Sequence, residues 1–248
     1  MMKKISVILL LLSLLSVSAS AQIGEYRNRF SVGGNAGYIL SNVAFVTKVP
    51  QGLHGGLTFG LSGRYICEKY FSTICAVSAE VNYAKIGWKE RIADIQDKPV
   101  PLVNSDEAMQ YQRTINYIQI PIFAHLAWGR ETKGFCGFLN LGPQFGIYLN
   151  DSYKSNFDIH NMSEYNLSKR ASAVIAQDTL AIQNKFDYGI AGGVGVEYSH
   201  PKIGHFLLEG RYYFGLGNIF YDTKRDYFSR SNFGNIVVKI TYLFDLTK

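Results

Sequence analysis

Residues 186–216, FDYGIAGGVGVEYSHPKIGHFLLEGRYYFGL, contain two segments in which side chains of opposite character alternate. In the first segment, 186–200, apolar and aromatic residues of even number oppose Asp187, Glu197 and several glycines. In the second, 205–216, apolar residues oppose Glu209 and Arg211. Alternation with a period of two is typical of β-strands with two different faces. Because only 201–204 separate the segments, the stretch predicts a β-hairpin.

The same alternation recurs along the chain and predicts eight strands, at 30–40, 55–67, 74–88, 114–128, 135–149, 186–200, 205–216 and 233–244. The links after the second, fourth and sixth strands are short, at 68–73, 129–134 and 201–204. The other links are long. We therefore expect an all-β fold, an eight-stranded antiparallel up-and-down barrel, which leaves no strand edge unpaired.

Charged residues indicate which strand face points into this barrel. Six of them lie near mid-strand on the polar face: Arg64, Glu80, Glu197, Glu209, Arg211 and Lys239. A soluble barrel would turn these charges outward, whereas a transmembrane barrel would pair them in its lumen. The small residues Gly189, Ala191, Gly193 and Gly195 share the polar face and would leave room for such a network.

Aromatic residues on the apolar face favour the transmembrane barrel. Those predicted to form a girdle at one rim are Tyr65, Trp128, Tyr198, Phe206, Tyr242 and Phe244. Transmembrane barrels have aromatic girdles at both interfaces, short periplasmic turns and longer external loops. We therefore expect an outer-membrane barrel with both termini in the periplasm and a lumen plugged by its own side chains.

The N-terminus resembles a cleaved export signal. Lys3 and Lys4 precede an apolar stretch at 5–17, and Ala19-Ser20-Ala21 supplies a cleavage pattern of small residues. The apolar stretch is shorter than the roughly 20 residues of a transmembrane helix. We predict a signal peptide at 1–21 and one barrel domain at 22–248, because no linker or change of composition interrupts the second range.

Other site chemistries find little support. The net charge is +6, but basic and acidic residues are interleaved, so nucleic-acid binding is not expected. The five histidines lack metal-ligand spacing, and His200 and His205 are predicted to flank an exposed turn. We therefore expect no metal and no cofactor. We also expect no catalytic residues, since no serine and histidine are placed together on the outer wall.

The cysteines suggest one covalent link. Cys67 and Cys75 flank the first short turn, and a hairpin centred on Phe71 would set them opposite each other. An oxidising cell envelope would permit a disulfide between them. Cys136 is interpreted as a small lumenal residue.

Several segments carry a family resemblance: 30–38 (FSVGGNAGY), 56–65 (GLTFGLSGRY), 117–122 (YIQIPI), 142–146 (GPQFG) and 192–198 (GGVGVEY). With these segments the chain resembles the PorT-like, porin-family outer-membrane barrels of Bacteroidetes-type bacteria, which have an OmpA-like eight-stranded architecture. The resemblance covers nearly all of 22–248. It implies a barrel fold and an outer-membrane location, and the family's namesake supports protein secretion.

The long links at 88–113 and 150–185 are the predicted site of function, because loops of this length exceed simple turns. We expect a structural or interaction barrel, too narrow for solutes, that binds an unidentified protein or glycan there. An accessory role in protein secretion is a further hypothesis. Further expected partners are outer-membrane lipid and the outer-membrane insertion machinery, and the barrel is expected to be a monomer. The alternatives are a narrow small-solute channel and an envelope lipid-modifying enzyme.

Overall fold

The computed structural model describes residues 24–161, 169–171 and 175–247; the predicted signal peptide therefore lies outside the described residues. Within these ranges the elements are β1 (Glu25–Val46), β2 (Gln51–Gly52), β3 (His54–Tyr70), β4 (Thr73–Glu90), β5 (Tyr111–Gly129), β6 (Gly134–Ser155), α1 (Ala176–Thr179), β7 (Phe186–His200), β8 (Gly204–Gly215) and β9 (Arg230–Asp245). None of the helices in the described part of the chain has the length and hydropathy needed to cross a membrane.

Eight long strands form a closed antiparallel ring. Neighbours in the chain pair with each other around the sheet, and β1 pairs with β9 to close it. The two-residue strand β2 is an addition that pairs only with the end of β4, where Gln51 lies opposite Glu90. The predicted eight-stranded up-and-down barrel is confirmed.

The two ends of the barrel differ in the length of their connections. At one end, here the turn end, the strands are joined by 71–72, 130–133 and 201–203. At the other, here the loop end, they are joined by 47–53, 91–110, 156–185 and 216–229. Phe71 adopts a φ of 51°, and this left-handed conformation lets a two-residue turn join β3 to β4.

Several strands reach further toward the loop end than predicted. β1 continues to Val46, β4 to Glu90 and β6 to Ser155, while β5 already begins at Tyr111. The predicted boundaries at 88–113 and 150–185 were therefore wrong. Near its loop end, β4 carries Lys85 and Lys89 outward and Ile86 and Trp88 inward, so the barrel wall continues beyond its apolar outer band.

Two apolar clusters fill the interior. The smaller one lies toward the turn end and includes Ile66, Phe138 and Leu243. The larger one fills the loop-end half and includes Trp88 and Phe220. Buried polar and charged side chains lie between them.

Candidate functional site

The middle of the barrel holds an ion cluster formed by Glu80, Glu209, Arg211 and Lys239. The Arg211 guanidinium donates to the Glu80 carboxylate at 3.0 and 3.1 Å and to the Glu209 carboxylate at 2.9 and 3.0 Å. The Lys239 ammonium donates to Glu80 and lies 3.8 Å from Glu209. Two cations thus face two carboxylates, and each charge of the cluster has a partner of opposite sign, as low-dielectric surroundings require.

A second ion pair lies between this cluster and the turn end. Arg64 donates to both carboxylate oxygens of Glu197, at 2.5 and 3.0 Å. His205 places Nδ1 2.7 Å from Glu197 and Nε2 3.1 Å from Asp245. The prediction of His205 in an exposed turn was wrong: β8 begins at Gly204, which places His205 on the inward face, where it is buried.

Asparagines that the sequence reasoning missed extend the central cluster. Asn82 donates to Glu80 at 2.8 Å, and Asn140 donates to Glu209 at 3.0 Å. Asn35 in turn donates to the side-chain oxygen of Asn82 at 2.8 Å. The signal was present in the sequence, because Asn82 follows Glu80 by two residues and a strand places both on the same face.

Glycines make room for the long charged side chains. Gly193 lies opposite Arg211, and a Cβ at Gly193 would lie 2.5 Å from Oε1 of Glu209. Gly37 lies opposite Lys239, and a Cβ there would lie 2.6 Å from the Lys239 Cβ. A larger residue at either position would displace the cluster.

Aromatic side chains fill the loop-end half. The buried Trp88 ring lies 5.5 Å from Phe45 and 6.4 Å from Phe220, and Phe228 lies 4.8 Å from Phe45. Phe220 and Phe228 belong to the connection at 216–229, which therefore folds into the barrel. The other long connections also bury apolar residues in this loop-end core: Val49, Ile92, Val100, Met109, Phe157, Ile159, Ala176 and Ile182.

A closed strand ring with charges inside and apolar residues outside is the arrangement of a transmembrane barrel. The family model described as "Outer membrane protein beta-barrel domain" matches residues 20–221. The chain belongs to this family. Membership implies a location in the bacterial outer membrane. It supports the predicted resemblance to outer-membrane barrels in general but not to the PorT-like barrels in particular. No match was found among curated proteins.

Solved outer-membrane barrels are similar in fold. The attachment invasion locus protein Ail of Yersinia pestis is 14% identical, covers 89% of this chain and 99% of its own, and has a TM-score of 0.36. OprG of Pseudomonas aeruginosa is 11% identical, with coverages of 89% and 98% and a TM-score of 0.44. Neisserial surface protein A is 11% identical, with coverages of 87% and 97% and a TM-score of 0.40.

The outer wall of this outer-membrane barrel has an apolar band. Exposed apolar side chains along it include Val77, Val81, Ile122, Leu139, Leu141, Val194, Val196, Leu208, Val238 and Ile240. Toward the loop end, the band stops on β4 and β5 at Lys85, which lies opposite Asn116. The band therefore marks the part of the wall that contacts lipid.

The residues of the predicted girdle lie at the turn-end border of this band. Tyr198 lies opposite both Phe135 and Phe206, and Phe206 lies opposite Tyr242. The ring centroids of Phe135 and Tyr198 are 5.0 Å apart, as are those of Phe206 and Tyr242. Trp128, in the same region, donates to Thr73, while Tyr65 and Phe244 are also exposed.

A buried carboxyl cluster lies within the loop-end core of the barrel, outside the lipid-contacting band. Arg170 donates to Glu90, and its second terminal nitrogen lies 3.9 Å from Asp178. Burial, together with the adjacent Glu90 carboxylate, raises the pKa of Asp178 to about 9. Asp178 is therefore protonated at neutral pH, and Arg170 neutralises the remaining carboxylate.

The Asp178→Asn substitution should make the barrel more stable at alkaline pH. The folded chain keeps a proton that the unfolded chain releases near the ordinary pKa of 3.8, so wild-type stability falls as pH rises from about 4 to about 9. Asparagine stays neutral and removes this loss, which is at most about 1.4 kcal/mol per pH unit. Thermal unfolding midpoints of D178N and wild type should agree at pH 4 and diverge by pH 8.

The matched control is the Asp106→Asn substitution, because Asp106 is exposed in the connection at 91–110. This variant should follow the pH dependence of the wild type. If D178N shows the same pH dependence too, the protonated state assigned to Asp178 is wrong.

The predicted disulfide is absent from the structure. Cys67 and Cys75 are both free. A register shift between Ile66 and Glu68 leaves Cys67 without a cross-strand partner, so Cys75 lies opposite Glu68 instead. The prediction assumed a regular hairpin and was wrong because a bulge at Cys67 displaces the register by one residue.

Ser199, His205 and Asp245 contact one another in the order of a catalytic triad. The Ser199 hydroxyl lies 2.9 Å from His205 Nδ1, and His205 Nε2 lies 3.1 Å from Asp245. Ser199, however, is buried inside the barrel and also lies within hydrogen-bonding distance of Glu197, at 3.1 Å. Since a nucleophile must reach its substrate, we assign these contacts to the lumenal ion network.

Proposed function

We propose that this protein is a closed interaction barrel, which contacts a partner protein or a glycan through its loop end and conducts no solutes. The observation that carries the proposal is the filling of the lumen at two levels. The ion cluster around Arg211 occupies the middle, and the loop-end core around Trp88 occupies the half beyond it. An eight-stranded barrel is only wide enough for its own side chains.

The loop end is proposed to face outward and the turn end to face the periplasm. Short periplasmic turns and longer external loops are the rule in bacterial outer-membrane barrels. The start of β1 at Glu25 and the end of β9 at Asp245 both lie at the turn end. This orientation places both termini in the periplasm, as the even strand number also predicts.

The loop end offers a folded surface to a partner. Its connections bury apolar residues in the loop-end core, so the residues that remain outside are held in place. Exposed among these are Ile95, Tyr221 and Tyr227. Aromatic residues are enriched at protein interfaces, and a preformed surface loses less entropy on binding. A role beside a secretion system would be a narrower form of the same proposal.

Planar-bilayer recordings test the closed lumen. Purified wild-type protein should insert without producing stepwise conductance, because the ion cluster and the loop-end core both obstruct the lumen. Insertion is verified by protection of the strands from protease in the same lipid. Large, regular conductance steps from inserted protein would contradict the proposal and support a solute channel.

A binding screen tests the interaction surface. Nanodisc-embedded protein is exposed to immobilised glycans and to peptides, and any binding should be lost in a Tyr221→Ala, Tyr227→Ala double variant. The Tyr70→Ala variant is the control, since Tyr70 is an exposed tyrosine at the turn end. Equal losses in the two variants would contradict binding through the loop end.

A further inference from the structure

Two cavities lie on the outer wall along the same strands, β7 and β8. The first, here the rim cleft, has a volume of about 470 Å³ and lies at the loop end; polar residues that line it are Gln183, Asn184, Lys185, Asn218 and Asp222. The second, here the wall groove, has a volume of about 430 Å³ and lies on the apolar band; residues that line it include Leu141, Gly192, Val194, Gly210, Tyr212 and Val238.

The rim cleft has the chemistry of a saccharide site. Asn184 donates to the Asn218 carbonyl at 2.8 Å, and the Asn218 amide donates to Asp222 at 2.9 Å, so these groups are held in position. The exposed Tyr188 ring lines the same cleft. The positive charge of Lys185 offsets the negative charge of Asp222. Together with the side-chain amides, these groups can donate hydrogen bonds to hydroxyl groups and accept hydrogen bonds from them.

The wall groove exists because two outward-facing positions lack side chains. A Cβ at Gly210 would have no neighbour within 4 Å, and a Cβ at Gly192 would meet only Leu141 at 3.4 Å and the Asn140 carbonyl at 3.8 Å. The surrounding side chains Val194 and Tyr212 are exposed and largely apolar. Such a depression is mainly apolar and accepts hydrocarbon.

The two cavities follow one another along β7 and β8. Gly192 follows Tyr188 by four residues on β7, a distance of about 13 Å at 3.3 Å per residue. Only the pair Ile190 and Phe214 separates the two levels. A polar cleft at the rim above an apolar groove on the same strands matches a molecule with a polar head and a hydrocarbon tail.

We infer that the β7–β8 wall binds a glycolipid of the outer leaflet, with its saccharide headgroup in the rim cleft and an acyl chain in the wall groove. The choice of leaflet rests on the orientation given under Proposed function. The binding itself does not require that the loop end recognise any other partner.

The Gly210→Phe variant tests this inference, because the new ring fills the wall groove without entering the barrel. The probe is rough-type lipopolysaccharide in phosphatidylcholine nanodiscs, and retained glycolipid is counted by native mass spectrometry. G210F should retain at least tenfold less glycolipid than wild type, as should an Asn184→Ala, Asp222→Ala double variant. Val81→Phe is the matched control, since Val81 is exposed on β4, across the ring from β8, and it should behave as wild type.

The deacylated oligosaccharide of the same lipopolysaccharide separates a glycolipid site from a site for free glycan. Wild type should bind it at least tenfold more weakly than the intact glycolipid. Equal retention of glycolipid by G210F and wild type, or equal binding of oligosaccharide and glycolipid, would overturn the inference. Neither result changes the conductance expected of a closed barrel, so the two proposals fail separately.

Discussion

Replacing Glu80 with alanine should lower the free energy of unfolding by about 3–5 kcal/mol, the range measured when one partner of a buried ion pair is removed. Glu80 accepts hydrogen bonds from Arg211 and Lys239. Without it, two cations share the single carboxylate of Glu209. The expected loss arises mainly from this uncompensated charge, which the surrounding protein cannot solvate.

Urea unfolding in lipid vesicles, followed by tryptophan fluorescence, measures this effect. The Glu25→Ala variant is the control, because Glu25 pairs with Arg27 on the surface, where removal of an ion pair costs at most about 1 kcal/mol. The Glu80→Ala, Lys239→Ala double variant removes one charge of each sign and should lose less than the sum of the two single variants. Additive losses would show that the cluster is not electrostatically coupled.

The Trp88→Ala variant should open the loop end while the barrel wall remains. Trp88 contacts Phe45 and Phe220, and the Arg113 guanidinium lies 5.6 Å from the centre of its ring. Truncation of a buried tryptophan costs about 3–5 kcal/mol. This loss of stability should destabilise the loop-end core against local opening. The fraction of molecules with an open loop end, and with it the rate of proteolysis, should then rise by about two orders of magnitude or more.

Limited proteolysis of the connections at 91–110 and 216–229 measures this opening. Trp128→Ala removes the same side chain from the outer wall near the turn end and should leave the cleavage rate of both connections unchanged. Trp88→Phe keeps most of the aromatic contacts and should give an intermediate rate. Slow cleavage in W88A, at the wild-type rate, would mean that the loop-end core does not hold these connections.

The barrel was predictable because its information is local. A strand alternates its side chains strictly, so the position of Glu209 relative to Phe206 and Leu208 already separates inside from outside. The position of six charges near mid-strand on the polar face likewise placed them in the lumen. The same rule, applied to uncharged residues, would have added Asn82 and Asn140.

The loop-end core was not predictable in the same way. Val100 lies in an irregular segment and Ala176 in a four-residue helix, and neither segment has a periodicity that indicates which side chains are buried. Their burial depends on contacts between connections that are distant in the chain, such as 91–110 with 156–185. The predicted functional link at 150–185 is described only in part, since 162–168 and 172–174 lie outside the described residues.

The register between paired strands is the other feature that the alternation within each strand did not determine. One extra residue at Cys67 leaves the alternation on both sides readable but changes which residues lie opposite each other. The same limit applied to His205, whose position depends on where the turn ends and β8 begins.

The pairing of β1 with β9 links the closure of the ring to its charge balance. Glu80, Glu209 and Arg211 lie on strands that precede β9, and together they carry a net charge of −1. Lys239 arrives on β9, the last strand to be synthesised, and packs over Gly37 of β1. Pairing of β1 with β9 therefore also neutralises the cluster. A chain that stops short of β9 would leave the edges of β1 and β8 unpaired. It would also leave one negative charge unbalanced in the interior.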